Sequence, residues 1–247
     1  MSGREPAETH AYRGPDPRMV QRMFEGIAHR YDFLNHFLSA SIDKRWRKLA
    51  VAKVCELISG RSEPLCLDLC SGTGDLAIEL YRGLHCRVIS SDFCHPMLVR
   101  SAAKIESLGL TETVRAVEAD VLNLPFSDAS FDVVTIAFGL RNLEDPARGL
   151  GEMFRVLKPG GAVVVLEFSK PVIPVFRQVF GFYFSNILPR LGAAISGQNL
   201  AYKYLPESVG RFPSQDELLG IVRSAGFANA GYKNLTGGIA ALHWGTR

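Results

Sequence analysis

This 247-residue sequence has little excess of charge of either sign. Its 28 Lys and Arg stand against 25 Asp and Glu, a net +3 that is too small to argue for a nucleic-acid surface. None of the five cysteines (Cys55, Cys66, Cys70, Cys86, Cys94) forms a C-x-x-C pair. They read as buried thiols in a reducing compartment, with neither a disulfide framework nor a metal site, and no ligand-spaced cluster asks for a metal ion. Uncharged runs such as 178–189 and 191–202 stop well short of the roughly 20 residues a membrane-spanning helix needs. The N-terminus lacks the continuous apolar core of a signal peptide. The expectation is a cytoplasmic protein, with any membrane contact peripheral and on the inner face of the cell membrane. A composition of 47% hydrophobic and 21% charged residues is that of a soluble globular chain. Its length suits one α/β domain, with or without an insertion.

The organising stretch is Leu65-Cys66-Leu67-Asp68-Leu69-Cys70-Ser71-Gly72-Thr73-Gly74-Asp75, followed by the helix-prone Leu76-Ala77-Ile78-Glu79-Leu80. Strand, glycine turn and helix start in that order present backbone N–H groups to a nucleotide-like ligand. Gly72 and Gly74 permit the sharp turn and a close ligand approach. Gly72-x-Gly74-x-x-Ala77 also fits the dinucleotide fingerprint, so an NAD-dependent oxidoreductase fits the turn alone. Asp68 separates the two readings. A pyrophosphate beside it would be repelled, whereas the ammonium and sulfonium of S-adenosylmethionine (SAM) would be attracted. The loop therefore reads as a SAM site.

Residues 1 to about 18 are rich in Pro, Gly, Ala and charge, without periodicity, and are expected to be a disordered tail. The remainder, 19–247, reads as a single domain. Its first part, 19–60, is a helical cover, with Met23, Phe24 and Ile27 at helical spacing; such a layer either covers a substrate pocket or merely packs. From residue 65 strands (65–70, 86–91, 114–118, 131–137, 162–168) alternate with helices (74–83, 95–108, 146–157), which implies a parallel doubly wound sheet with helices on both faces. Asp92, ending the second strand with Phe93 after it, is placed to accept from both ribose hydroxyls. Asp120 and Val121, after the third strand, can meet an adenine amino group and ring. Asp132, opening the fourth strand after Phe131, is expected to join this convergence of acidic strand ends, the plainer alternative being a strand-edge solubiliser. Ser214-Gln215-Asp216-Glu217 resembles a capping sequence for a helix to about Ala225. The turn Thr236-Gly237-Gly238 implies a last antiparallel pair of strands, 229–234 and 239–245.

The blocks Phe138-Gly139-Leu140-Arg141-Asn142, Arg155-Val156-Leu157-Lys158-Pro159-Gly160-Gly161 and Leu166-Glu167-Phe168-Ser169 resemble the quinone-biosynthesis C-methyltransferase family. So do Tyr31-Asp32-x-x-Asn35 with Ser39 and Trp46, Tyr202-x-Tyr204-Leu205-Pro206-x-Ser208, and Leu235-Thr236-Gly237-Gly238-Ile239-Ala240-Ala241-Leu242-His243. The resemblance implies the class I SAM-methyltransferase fold: a Rossmann-like, seven-stranded, mostly parallel sheet with an N-terminal helical cover. It implies SAM as cofactor, with contacts at Thr73, Asp92, Asp120 and Val121; Ala137 stands where many relatives have Ser. A His usual before Trp46 is Asp43 here, a position left without a role. The implied reaction is C-methylation of a polyprenylated hydroquinol, demethylmenaquinol first and the ubiquinol precursor second. Another phenolic or lipid acceptor, or a non-catalytic SAM-binding assembly factor, would keep the same SAM motifs.

Methylating an aromatic carbon needs an electron-rich ring, so the reduced quinol, best as its phenolate, is the nucleophile. An ordinary phenol titrates near roughly 10, so the site must stabilise that phenolate. Arg141 and Asn142, just after the fourth strand, are the expected catalytic residues, with Tyr31 as a third partner to the ring oxygens. Arg141 would lower the phenol's pKa and hold a proton-accepting water. The plainer alternative pairs Arg141 with Glu144 or Asp145. His29, His36 and Glu167 are rival bases. The loop Ala137-Phe138-Gly139-Leu140 lacks the Asn/Asp-Pro-Pro-aromatic clamp of base N-methyltransferases, which speaks against a nucleic-acid N-methyltransferase. The segment 170–211 carries five basic residues against Glu207, a net +4 that leaves −1 for the rest of the chain. With Phe176, Phe180, Phe182, Tyr183 and Phe184 it suits an anionic membrane surface and a prenyl tail. The alternatives are a lid, a homodimer helix or docking into a quinone-biosynthesis complex.

Overall fold

The computed structural model describes residues 12–28, 41–174, 178, 181 and 199–247, apart from a few of their side chains. Among the described residues two helices precede the sheet: α1 (Pro17–Ile27), whose N-cap Asp16 accepts from the Arg18 and Met19 N–H groups, and α2 (Ile42–Leu57). The first helix begins just short of residue 18, at Pro17. Gly14 N donates to Glu144 O, Tyr12 packs edge-on to Phe212, and the chain is already helical at Pro17. Pro at the first helical position needs no N–H partner, and this fixes the start.

β1 (Leu65–Leu69), α3 (Asp75–Leu84), β2 (Arg87–Asp92), α4 (His95–Ser107), β3 (Val114–Glu118), β4 (Phe131–Ala137), α5 (Pro146–Val156) and β5 (Leu157–Phe168) alternate as their patterning demands. After them come α6 (Asn199–Arg211), α7 (Gln215–Ser224), β6 (Ala228–Leu235) and β7 (Ala240–Thr246). The sheet order is β3-β2-β1-β4-β5-β7-β6, parallel except for β7, which runs against both neighbours. Strand order reverses between the neighbours β1 and β4. The crevice beyond the carboxyl ends of those strands is where an open α/β sheet binds ligands.

Side-chain alternation splits the core into two layers. Cys66, Val88, Val133 and Val164 face α2 and α3 through Trp46, Val54 and Leu80. Leu67, Leu69, Val134 and Ile136 face α5 and α7 through Leu150, Met153 and Val222. Asp68 shares the parity of Cys66 and pairs in register with Thr135, so a carboxylate is carried into the first layer. β5 starts at Leu157, earlier than its apolar run, because Phe131 pairs with Leu157 across an irregularity in the register. The Ser214 cap is as expected: Glu217 Oε2 accepts from both Ser214 N and Oγ at 2.7 Å.

Candidate active site

The turn from β1 to α3 is built on two glycines with positive φ, Gly72 (+56°) and Gly74 (+84°). A Cβ on Gly74 would lie 2.5 Å from Ser101 Oγ, so only glycine fits there. Gly72 N donates to Asp92 Oδ2 at 2.8 Å, and Cys94 N donates to Asp92 Oδ1 at 2.8 Å. The first bond ties the glycine turn after β1 to the end of β2, and the second closes a local turn after β2. Burial pushes the Asp92 carboxyl above its ordinary pKa, against the pull of those amides.

A cavity of about 300 Å³ opens beside this turn. Cys70, Gly72, Asp92, Phe93, Asp120, Val121, Ala137 and Asn142 line it, and so do Val20 and Phe24 of α1. The helical cover thus lies over the cavity. Of the expected cofactor residues, Gly72, Asp92, Phe93, Asp120, Val121 and Ala137 line this cavity, Asp68 and Thr73 line a smaller neighbour, and Gly74 lines neither. Phe93 is 41% exposed, an aromatic face left beside Asp92. Asp120 Oδ1 accepts from Leu122 N at 2.9 Å, leaving its second oxygen for another donor.

A smaller cavity of about 20 Å³ adjoins it, sharing Cys70, Ala137 and Phe138 and reaching Asp68, Thr73, Asp75 and Arg47. Asp68 is 1% exposed. Its Oδ1 accepts from Thr135 Oγ1 at 2.7 Å, while Oδ2 is a buried oxygen without a hydrogen-bond partner. Burial pushes this carboxyl up to about 7, against the lowering effects of Thr135 and Arg47. A buried acceptor left unsatisfied is costly, and a cationic ligand with N–H donors relieves it. The residues present therefore fit an ammonium-bearing ligand such as SAM. Lys104 Nζ donates to Thr73 Oγ1 (3.2 Å) and to Asp75 Oδ1 (2.9 Å), holding the glycine turn from outside.

Asp132 does not join these groups. It sits at the amino end of β4, where its Oδ2 accepts from Leu65 N and Lys158 Nζ and its Oδ1 from Arg61 Nη1. The expectation that it converges with the ligand-facing carboxylates is corrected. In a parallel sheet the first residues of a strand lie opposite the ligand crevice.

Beyond β4 the chain passes through Phe138, whose φ is +57°, into a short helical turn at Leu140–Asn142. Gly139 is required because a Cβ there would meet Cys70 Cβ at 2.3 Å. Arg141 is buried, and its Nη1 donates to Glu167 Oε1 at 2.6 Å and Phe138 O at 2.5 Å. Arg141 N also donates to Glu167 Oε2 at 3.2 Å. Its partner is therefore Glu167, neither Glu144 nor Asp145, and Arg141 stands behind the cavity wall while Asn142 lines it. Glu167, engaged here, is fixed as a partner of the arginine. Tyr204 donates to Asn142 Oδ1 at 2.8 Å, and Tyr12 to Arg141 O at 3.2 Å. Burial pushes the Tyr204 phenol up to about 12, so it remains a donor. Tyr31, His29 and His36 lie outside the described residues, as does most of 170–211. Arg47, Cys70, Tyr12 and Tyr204 were missed as site residues. For Arg47 the signal was the helix start after Ser41, which puts Asp43 and Arg47 one turn apart.

Solved structures sharing this architecture include the [4+2]-cyclase SpnF (TM-score 0.67, 20% identical, covering 93% of this chain and 79% of that one). A putative S-adenosyl-L-methionine-dependent methyltransferase from Methanococcus maripaludis also shares it (TM-score 0.61, 20% identical, 89% and 91%). At such identity the likeness is one of fold, and the fold is that of the class I methyltransferases. More narrowly, the chain matches the ubiE/COQ5 methyltransferase family over residues 13–247 and belongs to it. Relatives include the demethylmenaquinone methyltransferase of Thermus thermophilus, 48% identical over 226 residues, 91% of this chain and all of that protein. The ubiquinone/menaquinone biosynthesis C-methyltransferase UbiE of a Geobacter species is 42% identical over 230 residues, 92% of this chain and 96% of that one.

Proposed function

We propose that this protein methylates a ring carbon of a polyprenylated hydroquinol, demethylmenaquinol first and the 2-polyprenyl-6-methoxy-benzoquinol second. The observation that carries the reading is that Asn142, from the family's Phe-Gly-Leu-Arg-Asn turn, lines the same cavity as Gly72 and Asp92. Donor-side and acceptor-side groups thus face one chamber. SAM, when bound, supplies an electrophilic methyl. Asp68 would hold its ammonium, Asp92 its ribose hydroxyls, and Asp120 with Val121 its adenine edge, with Phe93 against the ring. Gly72, Thr73 and Gly74 shape the turn around it, and Ala137 forms the wall between the two cavities.

On the acceptor side Asn142 contacts the ring oxygen and steadies the phenolate by a hydrogen bond. Arg141 adds positive potential from behind the wall, while Glu167 fixes its orientation. Tyr31 is the third proposed contact. Neither Tyr204 nor Tyr12 is a base, because burial raises both phenols above their ordinary pKa.

Among the described residues no helix is long and apolar enough to cross a membrane. The acceptor's tail calls for peripheral contact with the inner face of the cell membrane through 170–211. Exposed Val172 and Ile173 at the start of that segment support it. A homodimer or a quinone-biosynthesis complex would use the same segment. Vesicle flotation with and without residues 170–211 tests this; equal binding removes the membrane contact. The reaction is tested by offering labelled SAM with demethylmenaquinol, the benzoquinol and an O-methyl acceptor in parallel. Transfer to both quinols supports the proposal. Transfer only to another phenol or lipid, or SAM binding without transfer to any acceptor, supports the corresponding alternative.

A further inference from the structure

The small cavity has a charge pattern that the residues named so far do not account for. Three carboxylates (Asp43, Asp68 and Asp75) gather near it, and Asp68 and Asp75 line it directly. Among the described residues that line it, Arg47 is the one cation. That side chain comes from α2, outside the nucleotide-binding unit, and it is buried. Its Nη1 donates to Asp43 Oδ2 at 2.5 Å, and its Nη2 stands 3.4 Å from Asp75 Oδ2. A guanidinium has five N–H donors in a rigid fork, so these two contacts do not exhaust it. Asp43 and Arg47 lie one helical turn apart, and the pair is held where Trp46, between them, donates from Nε1 to Thr236 Oγ1 at 2.9 Å.

We infer that Arg47 receives the α-carboxylate of the methyl donor, so that Asp68 and Arg47 together form a subsite for an α-amino-acid zwitterion. The inference rests on the SAM reading of the site and deepens it. Asp68 Oδ2 offers a buried acceptor to the ammonium. Lys104 reaches Asp75 from outside the lining, so without Arg47 a carboxylate entering the cavity would face Asp68 and Asp75 with no cation among the lining residues, and like charges repel. Arg47 offers it N–H donors directly. Asp43 takes part as a positioning residue: it orients the guanidinium and balances its charge while the cavity is empty of carboxylate. This gives the departure at position 43 a role, since an acidic side chain there holds the arginine.

The test compares three adenosyl ligands by calorimetry: S-adenosylmethionine, its decarboxylated form, and 5′-methylthioadenosine, which lacks the whole amino acid. The wild-type protein is expected to bind SAM at least about tenfold more tightly than the decarboxylated form, the loss of one charged hydrogen-bonded contact. In Arg47→Met that ratio falls to within about twofold, while 5′-methylthioadenosine binds as it does to the wild type. Arg47→Lys restores part of the ratio. Because Arg47→Met leaves buried carboxylates uncompensated, the same comparison is made on Asp43→Asn/Arg47→Met, which removes one charge of each sign. An unchanged ratio in both Met variants overturns the inference. So does equal weakening of all three ligands, which is the mark of a purely structural arginine, and so does a wild type that does not discriminate. A wild type that binds none of the three would instead overturn the SAM reading itself.

Discussion

The hydroxyl of Tyr204 donates to Asn142 Oδ1 across 2.8 Å, joining α6 to the turn that follows β4. Asn142 Nδ2 in turn donates to Phe138 O at 3.3 Å. These two bonds fix which way the amide faces: its oxygen is taken, and its second N–H is left to the cavity. A donor at that place suits a phenolate and not a neutral ring carbon. Tyr204→Phe is therefore expected to lower turnover of the quinol about fivefold to thirtyfold, as for one lost hydrogen bond near the reacting group, while SAM affinity stays within about twofold. Steady-state kinetics with calorimetry on the same variant checks both halves.

Arg141→Ala alone would mix two effects. It leaves Glu167 buried and unpaired, which costs about 3–5 kcal/mol of stability. The double variant Arg141→Met/Glu167→Leu removes both charges and is expected to regain most of that stability in denaturant unfolding without regaining turnover. Recovery of turnover with stability would assign the arginine a structural role only.

Asp68 links pH to both stability and binding. The folded carboxyl titrates at about 7, and an unfolded one near roughly 4. Between those values the folded chain binds the extra proton, so the stability that Asp68 contributes is present below about pH 4 and is lost as pH rises toward 7. An ammonium ligand prefers the ionised form. Affinity for S-adenosylhomocysteine should therefore rise between pH 6 and 8, by up to about tenfold per unit below 7. In Asp68→Asn the affinity is weaker and the slope from this group is gone, as calorimetry across pH would record.

Gly74→Ala is expected to destabilise the protein by about 1–3 kcal/mol, since φ is +84° and the new methyl would press on Ser101 Oγ. Thermal unfolding with and without S-adenosylhomocysteine should show a smaller ligand-induced rise in the variant.

The sheet was legible from residue 65 onward because each strand is a short apolar run closed by a turn signal, and the Gly72–Gly74 bend fixes where the ligand crevice opens. Asp68, Asp92 and Asp120 could be placed because strand ends and ligand end coincide in such a sheet. Asp132 was misplaced by the same logic, since a residue that opens a strand lies at the other end. Partners across long sequence separations were not legible. Nothing local says that Arg141 meets Glu167, 26 residues on, or that Tyr204 reaches Asn142. Arg47 was hidden for a similar reason: its neighbours on α2 show only an ion pair, and the cavity it faces is formed by β1 and the glycine turn.

In the proposed reaction one chamber brings a sulfonium methyl to the carbon of a reduced ring. The most direct measurement is transfer from methyl-13C SAM to demethylmenaquinol, with the product read by carbon NMR. The expected result is a labelled methyl on the ring carbon and no transfer to the oxidised quinone. Label on oxygen, or equal transfer to the quinone, would contradict it.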